Sequence, residues 1–418
     1  MLISLIKIDD IRKSNHVALQ KEEAAGHQAR WALALEVPSI DKKEKHMSKN
    51  EETKASKGVA GGLEGIVAAE TALSRVDGAA GRLIIAGRDL PDLAETLSFE
   101  GVTAALWSTA GTPCSAEEAR NALGRARVEA FDLVPALLEA GKGLTITEAL
   151  RIGLSLLQDS HATEAHVRLV ASMPVFVAAL ARAAEGKAPV APDATSPHAE
   201  DYLHMLHGED PAADAVDAMD KYLVTVSDHG MNASTFTARV VASTAAEQVS
   251  SVLAALCALK GPLHGGAPGP VLDMLDDIGS PDNIEPWLRE AVMAGDRLMG
   301  FGHRVYRVRD PRADVLGSAI KSLKGVEERT AFAREVEATA KAVLKGLKPH
   351  RPLDTNVEFY TALLLEALAI PRDAFTPTFA VGRVAGWTAH IMEQEAIGRL
   401  IRPSARYVGK LPDDLEVA

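Results

Sequence analysis

The chain has 418 residues, 47% of them apolar and 24% charged, a balance that fits a globular protein and excludes disorder as the main state. Only two cysteines occur, Cys114 and Cys257, too few for a disulfide framework or a four-cysteine zinc site, and their scarcity suits a reducing, cytoplasmic setting. Forty-five Lys and Arg against 57 Asp and Glu give a net charge of −12, which argues against a nucleic-acid binder, although a local arginine cluster can hold a small anion against the global sign.

The N-terminal MLISLIKIDDIRK mixes acids into its apolar stretch and reads as neither a secretory h-region nor a transit peptide. Residues 1–58 read as an extension, because DKKEKHMSKNEETKASKG has no periodic apolar face and a composition expected to be disordered. Met47 inside it offers a second start; the alternative is a short appended helix from Ala25 to Leu35. The segment from Thr71 to Leu83 is punctuated by DGAAG, and RLIIAG is a short β-branched run fit for a strand or edge. Leu93, Leu97, Val102 and Leu106 recur at helical spacing. Ala171–Ala184 reads as a small-residue apolar helix, ended by the loop GKAPVAPDATSP. Val240–Leu259 is nearly all small and apolar and predicts one fully buried helix. The glycines and prolines from Gly261 to Pro270 predict a helix end, a turn and a new helix start. Glu328–Leu347 carries acids early and lysines late, as the helix macrodipole favours. Tyr360–Leu368 and Gly386–Leu400 read as two further helices. No charge-free apolar run reaches about eighteen residues, so no membrane span is expected. With no internal repeat and no alternating strand series, the chain reads as mainly α.

Four stretches concentrate polar residues in apolar surroundings: SDHGMNASTF with His229 and Asn232, KGPLHGGAPGP with His264, MGFGHRVYRVRDPR with His303 and four arginines, and LDTNVEFYTALLLEAL with Glu358. Singly, each has an ordinary explanation, a packing histidine or a solvated arginine face. Together they say more. Glycines beside His264 and His303 let backbone approach a ligand closely, and an imidazole held in such a loop can be fixed in one neutral tautomer as a donor. Arg304, Arg307, Arg309 and Arg312 against Asp310 give a local charge of +3. Guanidinium forks pair with carboxylate and phosphate, as a dicarboxylate beside a polyphosphate carrier would require.

The ordered motifs DHGMNASTFTAR, GPLHGG, GFGHRVYRVRDPR, NVEFYTA, GRVAGWTAHIMEQ and LIRPSARYVG, with GLEGIVAAETALSRVDGAAGRLIIAGRDLPDLA upstream, resemble the citrate synthase family over residues 59–418. The resemblance implies an all-helical homodimer without metal or permanently bound cofactor, with a large domain (59–264 and 365–418) and a small mobile domain (265–364). It implies condensation of acetyl-CoA with oxaloacetate and hydrolysis of the citryl thioester, coenzyme A entering as a co-substrate. By matching position, His264 would donate to the thioester oxygen, His303 would polarise the ketone, and Glu358 would remove the α-proton. His229, Arg312 and Arg383 would bind oxaloacetate, Arg402 would reach the other subunit's site, and Arg307 would contact the coenzyme A phosphates. His198 and His390 are left as packing or surface residues. No membrane or nucleic-acid partner is implied.

The chain departs from the family pattern at three points. Glu358 stands where Asp is usual, Ala267 and Pro268 replace the usual Ala-Asn after the glycines, and Gly230 stands where Glu is common. Asp354 is a less suitable substitute base, better read as a turn or capping residue. Two other functions fit the same motifs. One is a 2-methylcitrate synthase using propionyl-CoA, since one methylene supplies only about 1–3 kcal/mol of discrimination. The other is a catalytically weak paralogue that binds coenzyme A thioesters.

Overall fold

The structure is a computed structural model that describes residues 63, 65–158, 163–261, 264, 268–350, 353–405 and 407–409. The extension over 1–58 and the alternative helix at 25–35 lie outside the described residues. The chain separates into two units between Val67 and Ala68, and every element named below belongs to the second.

That unit opens with an antiparallel sheet in the order β1 (Ser74–Asp77), β2 (Arg82–Ile85), β3 (Arg88–Asp89). The RLII run is the middle strand, as its β-branched residues suggest; Leu83 and Ile85 face the core. The short flanking strands are polar, and their sequence alone does not announce them. Two helices follow, α1 (Leu90–Thr96) and α2 (Phe99–Thr109), separated where Ser98 turns extended and its side chain caps the Gly101 N–H.

Next come α3 (Ala116–Phe131), α4 (Val134–Ala140), α5 (Ile146–Ser155) and α6 (Ala165–Ala184). Ser115 with Glu118, and Thr145 with Glu148, form capping boxes that fix the starts of α3 and α5. By length and composition α6 could cross a membrane, although Arg168 and Arg182 keep it from being a charge-free run, and it is buried against α3, α5 and other helices of the same core. The loop after α6 is tied down by buried Arg127, which pairs with Asp201 at 2.5 Å and donates to the carbonyls of Asp193 and Ser196.

The helices α7 (His198–His207), α8 (Ala213–Val226), α9 (Ala233–Ala242) and α10 (Gln248–Leu259) complete the first half. The single helix expected over Val240–Leu259 is therefore two. Ser243 and Thr244 turn their hydroxyls back onto the carbonyls of Val240 and Val241, both at 2.7 Å, and Ala245 takes a left-handed φ of 60°. Nor is this stretch fully buried, for Cys257 is exposed.

The remaining elements are α11 (Pro268–Ile278), α12 (Ile284–Ala294), α13 (Pro311–Ser322), α14 (Glu327–Leu347), α15 (Val357–Ala367) and α16 (Phe375–Ile397). Pro268 opens α11, the position where its missing N–H costs least. The helix expected from Gly386 begins earlier, at Phe375, and ends at Ile397, where Gly398 is left-handed. It is buried along almost its whole length and contacts α2, α6, α8, α9 and α10. Among the described residues the fold is mainly α, with a small three-stranded sheet at the start of the unit.

Candidate active site

The loop of His303 is built from a short pairing of two segments. The Asn356 N–H donates to Gly300 at 3.0 Å, the Gly302 N–H donates to Asp354 at 2.7 Å, and Phe301 bridges Thr355. Gly300 and Gly302 both hold φ of 83°, and a Cβ on Gly302 would stand 2.7 Å from Leu353 Cδ2, so glycine is required at this turn. The pairing joins the His303 loop to the start of α15, which carries Glu358 as its second residue.

Past the turn, the His303 Nδ1 accepts the N–H groups of Val305 and Tyr306, each at 3.0 Å. Its lone pair is thereby used, which assigns the ring proton to Nε2. Burial, aided by the Arg312 charge and opposed by Asp310, pushes the His303 pKa down to about 4. At neutral pH the ring is an uncharged donor with one fixed direction.

His264 is held differently. Its Nε2 lies 2.8 Å from Ser234 Oγ and receives the Ser234 N–H at 3.3 Å, which leaves the proton on Nδ1. Ser234 is the second residue of α9, capped by Asn232, and the Trp387 indole donates to its hydroxyl at 3.2 Å. Burial first, then the charges of Arg383 and Arg312, lower the His264 pKa to about 4. Two neutral imidazoles with assigned donors thus face one charged environment.

His229 completes the set. Its ring meets that of His303 edge-on at 5.6 Å, and its Nε2 lies 3.1 Å from the Tyr306 hydroxyl. Burial holds it neutral, reinforced by Arg312, His303, Arg383 and His264. The buried Arg312 guanidinium grips Asp310 with two bonds, 3.0 and 2.7 Å. The buried Arg383 Nε donates to the Val226 carbonyl at 2.6 Å, while its Nη2 has no partner. Burial lowers the Arg383 pKa to about 10, with Asp228 opposing and Arg312 adding to the shift. Glu358 is half-buried, and its Oε2 is also buried without a partner. Its pKa lies above the usual glutamate range because burial outweighs the attraction of Arg312 and Arg383.

The structure therefore gathers His229, His264, His303, Arg312, Arg383 and Glu358 into one electrostatic neighbourhood. Arg307 is exposed on the outer side of the His303 loop, and Arg402 is exposed beyond α16. The arginine run is not one cluster: Arg309 turns to Asp314 and Glu337 and lies over the Tyr360 ring, away from the gathered histidines. Asp354 accepts the Thr355 N–H at 2.8 Å and lies 3.6 Å from Lys341, so it is a turn residue; the cap of α15 is Asn356. Sequence reasoning passed over Ser234, Tyr306 and Trp387, and counted Asp310 only as a charge, whereas these residues orient the gathered groups. The role of Asp310 could have been found, since Asp-Pro before a helix is a capping signal. His198 and His390, left as packing or surface residues, are both fully buried, and His390 Nε2 lies 3.2 Å from Asp228. Among the described residues no group of three or more His, Cys, Asp or Glu side chains could hold a metal ion.

A cavity of about 300 Å³ adjoins His303, lined by Arg297, Arg304 and Lys348 together with Leu298, Phe301 and Leu353. Asp296 also lines it, so its three cations outnumber one carboxylate, a balance that suits an anionic ligand with an apolar part.

Neutral donors, two buried guanidiniums and a carboxylate with one unpartnered oxygen suit carbon-acid chemistry on an anionic substrate. The family described as citrate synthase, C-terminal domain, matches residues 62–404, and the chain belongs to the citrate synthase family. It is 38% identical over 369 residues to a citrate synthase of Haloferax volcanii, covering 84% of this chain and 95% of that one. It is 35% identical over 360 residues to a 2-methylcitrate synthase of Mycobacterium tuberculosis, covering 83% and 90%. Among solved structures, the citrate synthase of Thermotoga maritima superposes with a TM-score of 0.75 at 33% identity, covering 85% of this chain and 97% of that one. A ternary complex of carboxymethyl coenzyme A and oxaloacetate with citrate synthase from Thermoplasma acidophilum gives a TM-score of 0.76 at 26% identity, over 84% and 96% of the two chains.

Proposed function

We propose that the protein condenses acetyl-CoA with oxaloacetate and hydrolyses the resulting citryl thioester to citrate and coenzyme A. The observation that carries this is the pair of neutral, directionally fixed donors, His264 Nδ1–H and His303 Nε2–H, in the same Arg312 field as Glu358, whose Oε2 has no partner. Glu358 takes a proton from the thioester methyl while His264 Nδ1–H donates to the thioester oxygen, giving the enol. The enol carbon then attacks the oxaloacetate ketone carbon, the enol proton returning to His264 Nδ1 while the ketone oxygen takes the His303 Nε2 proton, and the proton held by Glu358 passes through solvent to restore His303. Water cleaves the thioester and releases the thiol. Each donor aimed at a developing oxyanion is worth about 3–4 kcal/mol, and holding both substrates in register supplies about 7–11 kcal/mol more.

Arg312, Arg383 and His229 hold the oxaloacetate carboxylates in this scheme. The cationic cavity beside His303, with Arg307 on the outer side of that loop, takes the coenzyme A moiety. The scheme needs no metal and no permanently bound cofactor. In the same proposal residues 265–364 move as a small domain that closes over the substrates, and the protein is a homodimer in which Arg402 completes the neighbouring site.

The test is thiol release with oxaloacetate and each acyl-CoA in turn. Release with acetyl-CoA at the higher kcat/KM supports the proposal. Faster release with propionyl-CoA makes the enzyme a 2-methylcitrate synthase, the reading favoured by the Mycobacterium relative. No release with either leaves a coenzyme A thioester-binding protein. Sedimentation of a fully active monomer would remove the shared site.

A further inference from the structure

The sheet at the start of the described unit touches both loops that carry His229 and His303. Ser74, the first residue of β1, donates through Oγ to Asp228 and accepts the Gly230 N–H at 3.1 Å, bracketing His229 on both sides. Four residues on, the Gly78 carbonyl accepts the Arg307 N–H at 2.9 Å, in the loop that starts at His303. Between them Val76 covers Gly230, where an added Cβ would stand 3.3 Å from Val76 Cγ2. A Cβ on Gly78 would stand 2.2 Å from the Val305 carbonyl oxygen, so this backbone-to-backbone contact requires glycine.

Both ends of the strand are fixed. Asp77 pairs with Arg82 across the hairpin, and its Oδ1 accepts the Ala80 N–H at 2.9 Å. At the other end, Ala72 donates its N–H to Glu393 at 2.8 Å. Glu393 pairs with buried Arg239, which donates to His390 Nδ1 at 3.0 Å, so that His390 Nε2–H is the group facing Asp228. Burial raises the Asp228 pKa, but His390 and the Ser74 hydroxyl more than reverse this and hold the carboxyl below its usual range. Asp228 is thus a firm anchor for Ser74.

We propose that Ser74–Gly78 is a splint that sets the separation of His229 and His303, with Ser74 and Gly78 as positioning residues for the oxaloacetate site. The proposal rests on reading those two histidines as substrate-contacting groups. Strand β1, Ser74–Asp77, spans about 13 Å and with Gly78 in the turn that follows it can transmit a displacement from one loop to the other. A misplacement of about 1 Å at the reacting centre can cost about a hundredfold in rate.

The test uses the full chain carrying Ser74→Ala, Ser74→Thr or Gly78→Ala. Oxaloacetate affinity is measured by titration calorimetry without acyl-CoA, thiol release gives kcat and KM, and amide hydrogen exchange is followed at residues 228–231 and 304–308. Ser74→Ala is expected to weaken oxaloacetate binding about tenfold. It should also speed exchange in both loops, including 304–308, which Ser74 does not touch, with a fall in the unfolding temperature limited because His390 still pairs with Asp228. Ser74→Thr, which keeps the hydroxyl, should restore both, and Gly78→Ala should exceed Ser74→Ala. Faster exchange confined to 228–231, or oxaloacetate affinity within twofold of the parent, would overturn the splint. If the parent itself binds no oxaloacetate, the functional reading fails, and exchange across the two loops still decides whether the splint couples them. If Gly78→Ala does not fold, Ser74→Ala alone decides.

Discussion

The turn at Gly300–Tyr306 and the first turn of α15 are joined by backbone pairing, yet they treat their polar groups in opposite ways. In the first, both lone-pair and proton directions of His303 are assigned by main-chain N–H groups. In the second, Glu358 keeps a buried oxygen without a partner, and its pKa is raised by burial. A donor must be pre-aimed to stabilise charge as it forms. A base must keep its lone pair available and its proton affinity high. The contrast separates what holds the fold from what strains it, and it can be tested from both sides.

Glu358→Gln should have the largest effect. It keeps size and removes basicity, so turnover and solvent-hydrogen exchange at the acyl α-carbon should fall about a thousandfold or more, with oxaloacetate binding retained. Stability should move the other way. A carboxyl whose folded pKa is raised contributes stability below its unfolded value and loses it as pH rises through the folded value. The Gln variant should therefore melt above the parent at pH 7, with the gap closing below about pH 4, where the parent is protonated in both states. Retained exchange at the α-carbon would place the base elsewhere.

On the donor side, His264→Ala removes one aimed N–H and should lower kcat by about a hundredfold to a thousandfold. Oxaloacetate affinity should change little, because this ring is assigned to the thioester. A variant that loses affinity for both substrates equally would show that the two donors do not divide the labour.

Arg312→Gln should act mainly on oxaloacetate. A charged hydrogen-bond partner is worth about 1.5–3 kcal/mol, so the KM for oxaloacetate should rise about tenfold to a hundredfold. Asp310, buried and left without its fork, should add a loss of stability that Arg383→Gln, whose Nε bonds only a carbonyl, would show less.

Two of the depressed histidines, His264 and His303, add a share to the pH dependence of stability. With folded values near 4 for His264 and His303, both states are neutral above the unfolded value of about 6.5. Below it the unfolded chain takes up protons that the folded chain refuses. Each site then removes about 1.4 kcal/mol of stability per pH unit, until the folded ring also protonates near pH 4. Chemical denaturation from pH 7 to 4 should show this slope, and His303→Ala should flatten it. An unchanged slope would mean that the ring titrates normally in the fold.

Much of this site was legible in the sequence because its chemistry sits in short, glycine-marked motifs. His229, His264, His303, Arg312, Arg383 and Glu358 are all drawn together as their motifs implied. What the sequence hid is tertiary. Ser234 reaches His264 only because α9 and the segment after α10 come together, and Trp387 reaches Ser234 from α16, 153 residues away. Helix ends were hidden for a local reason: Ser243 and Thr244 read as small helix-compatible residues until their hydroxyls turn back onto the chain. The +3 arginine run was legible in sign only. Its division between Asp310 and Glu337 depends on α14, which brings Glu337 to Arg309 and to the Tyr360 hydroxyl at 2.6 Å.

That division leads to the smallest expected effect. Arg307 is exposed, and its main-chain N–H, rather than its guanidinium, makes the contact to Gly78. Arg307→Gln therefore keeps the loop in place and removes only an exposed charge from the loop that follows His303. Solvent screens such a charge, so the KM for acyl-CoA should rise no more than about fivefold, equivalent to about 1 kcal/mol, and kcat should not change. The increase should shrink as salt is added, since the interaction is exposed. Oxaloacetate binding should be untouched, in contrast to Arg312→Gln. A loss in kcat, or an effect that salt does not reduce, would show that Arg307 reaches the reacting groups, and the distinction between the exposed and buried arginines of this loop would fail.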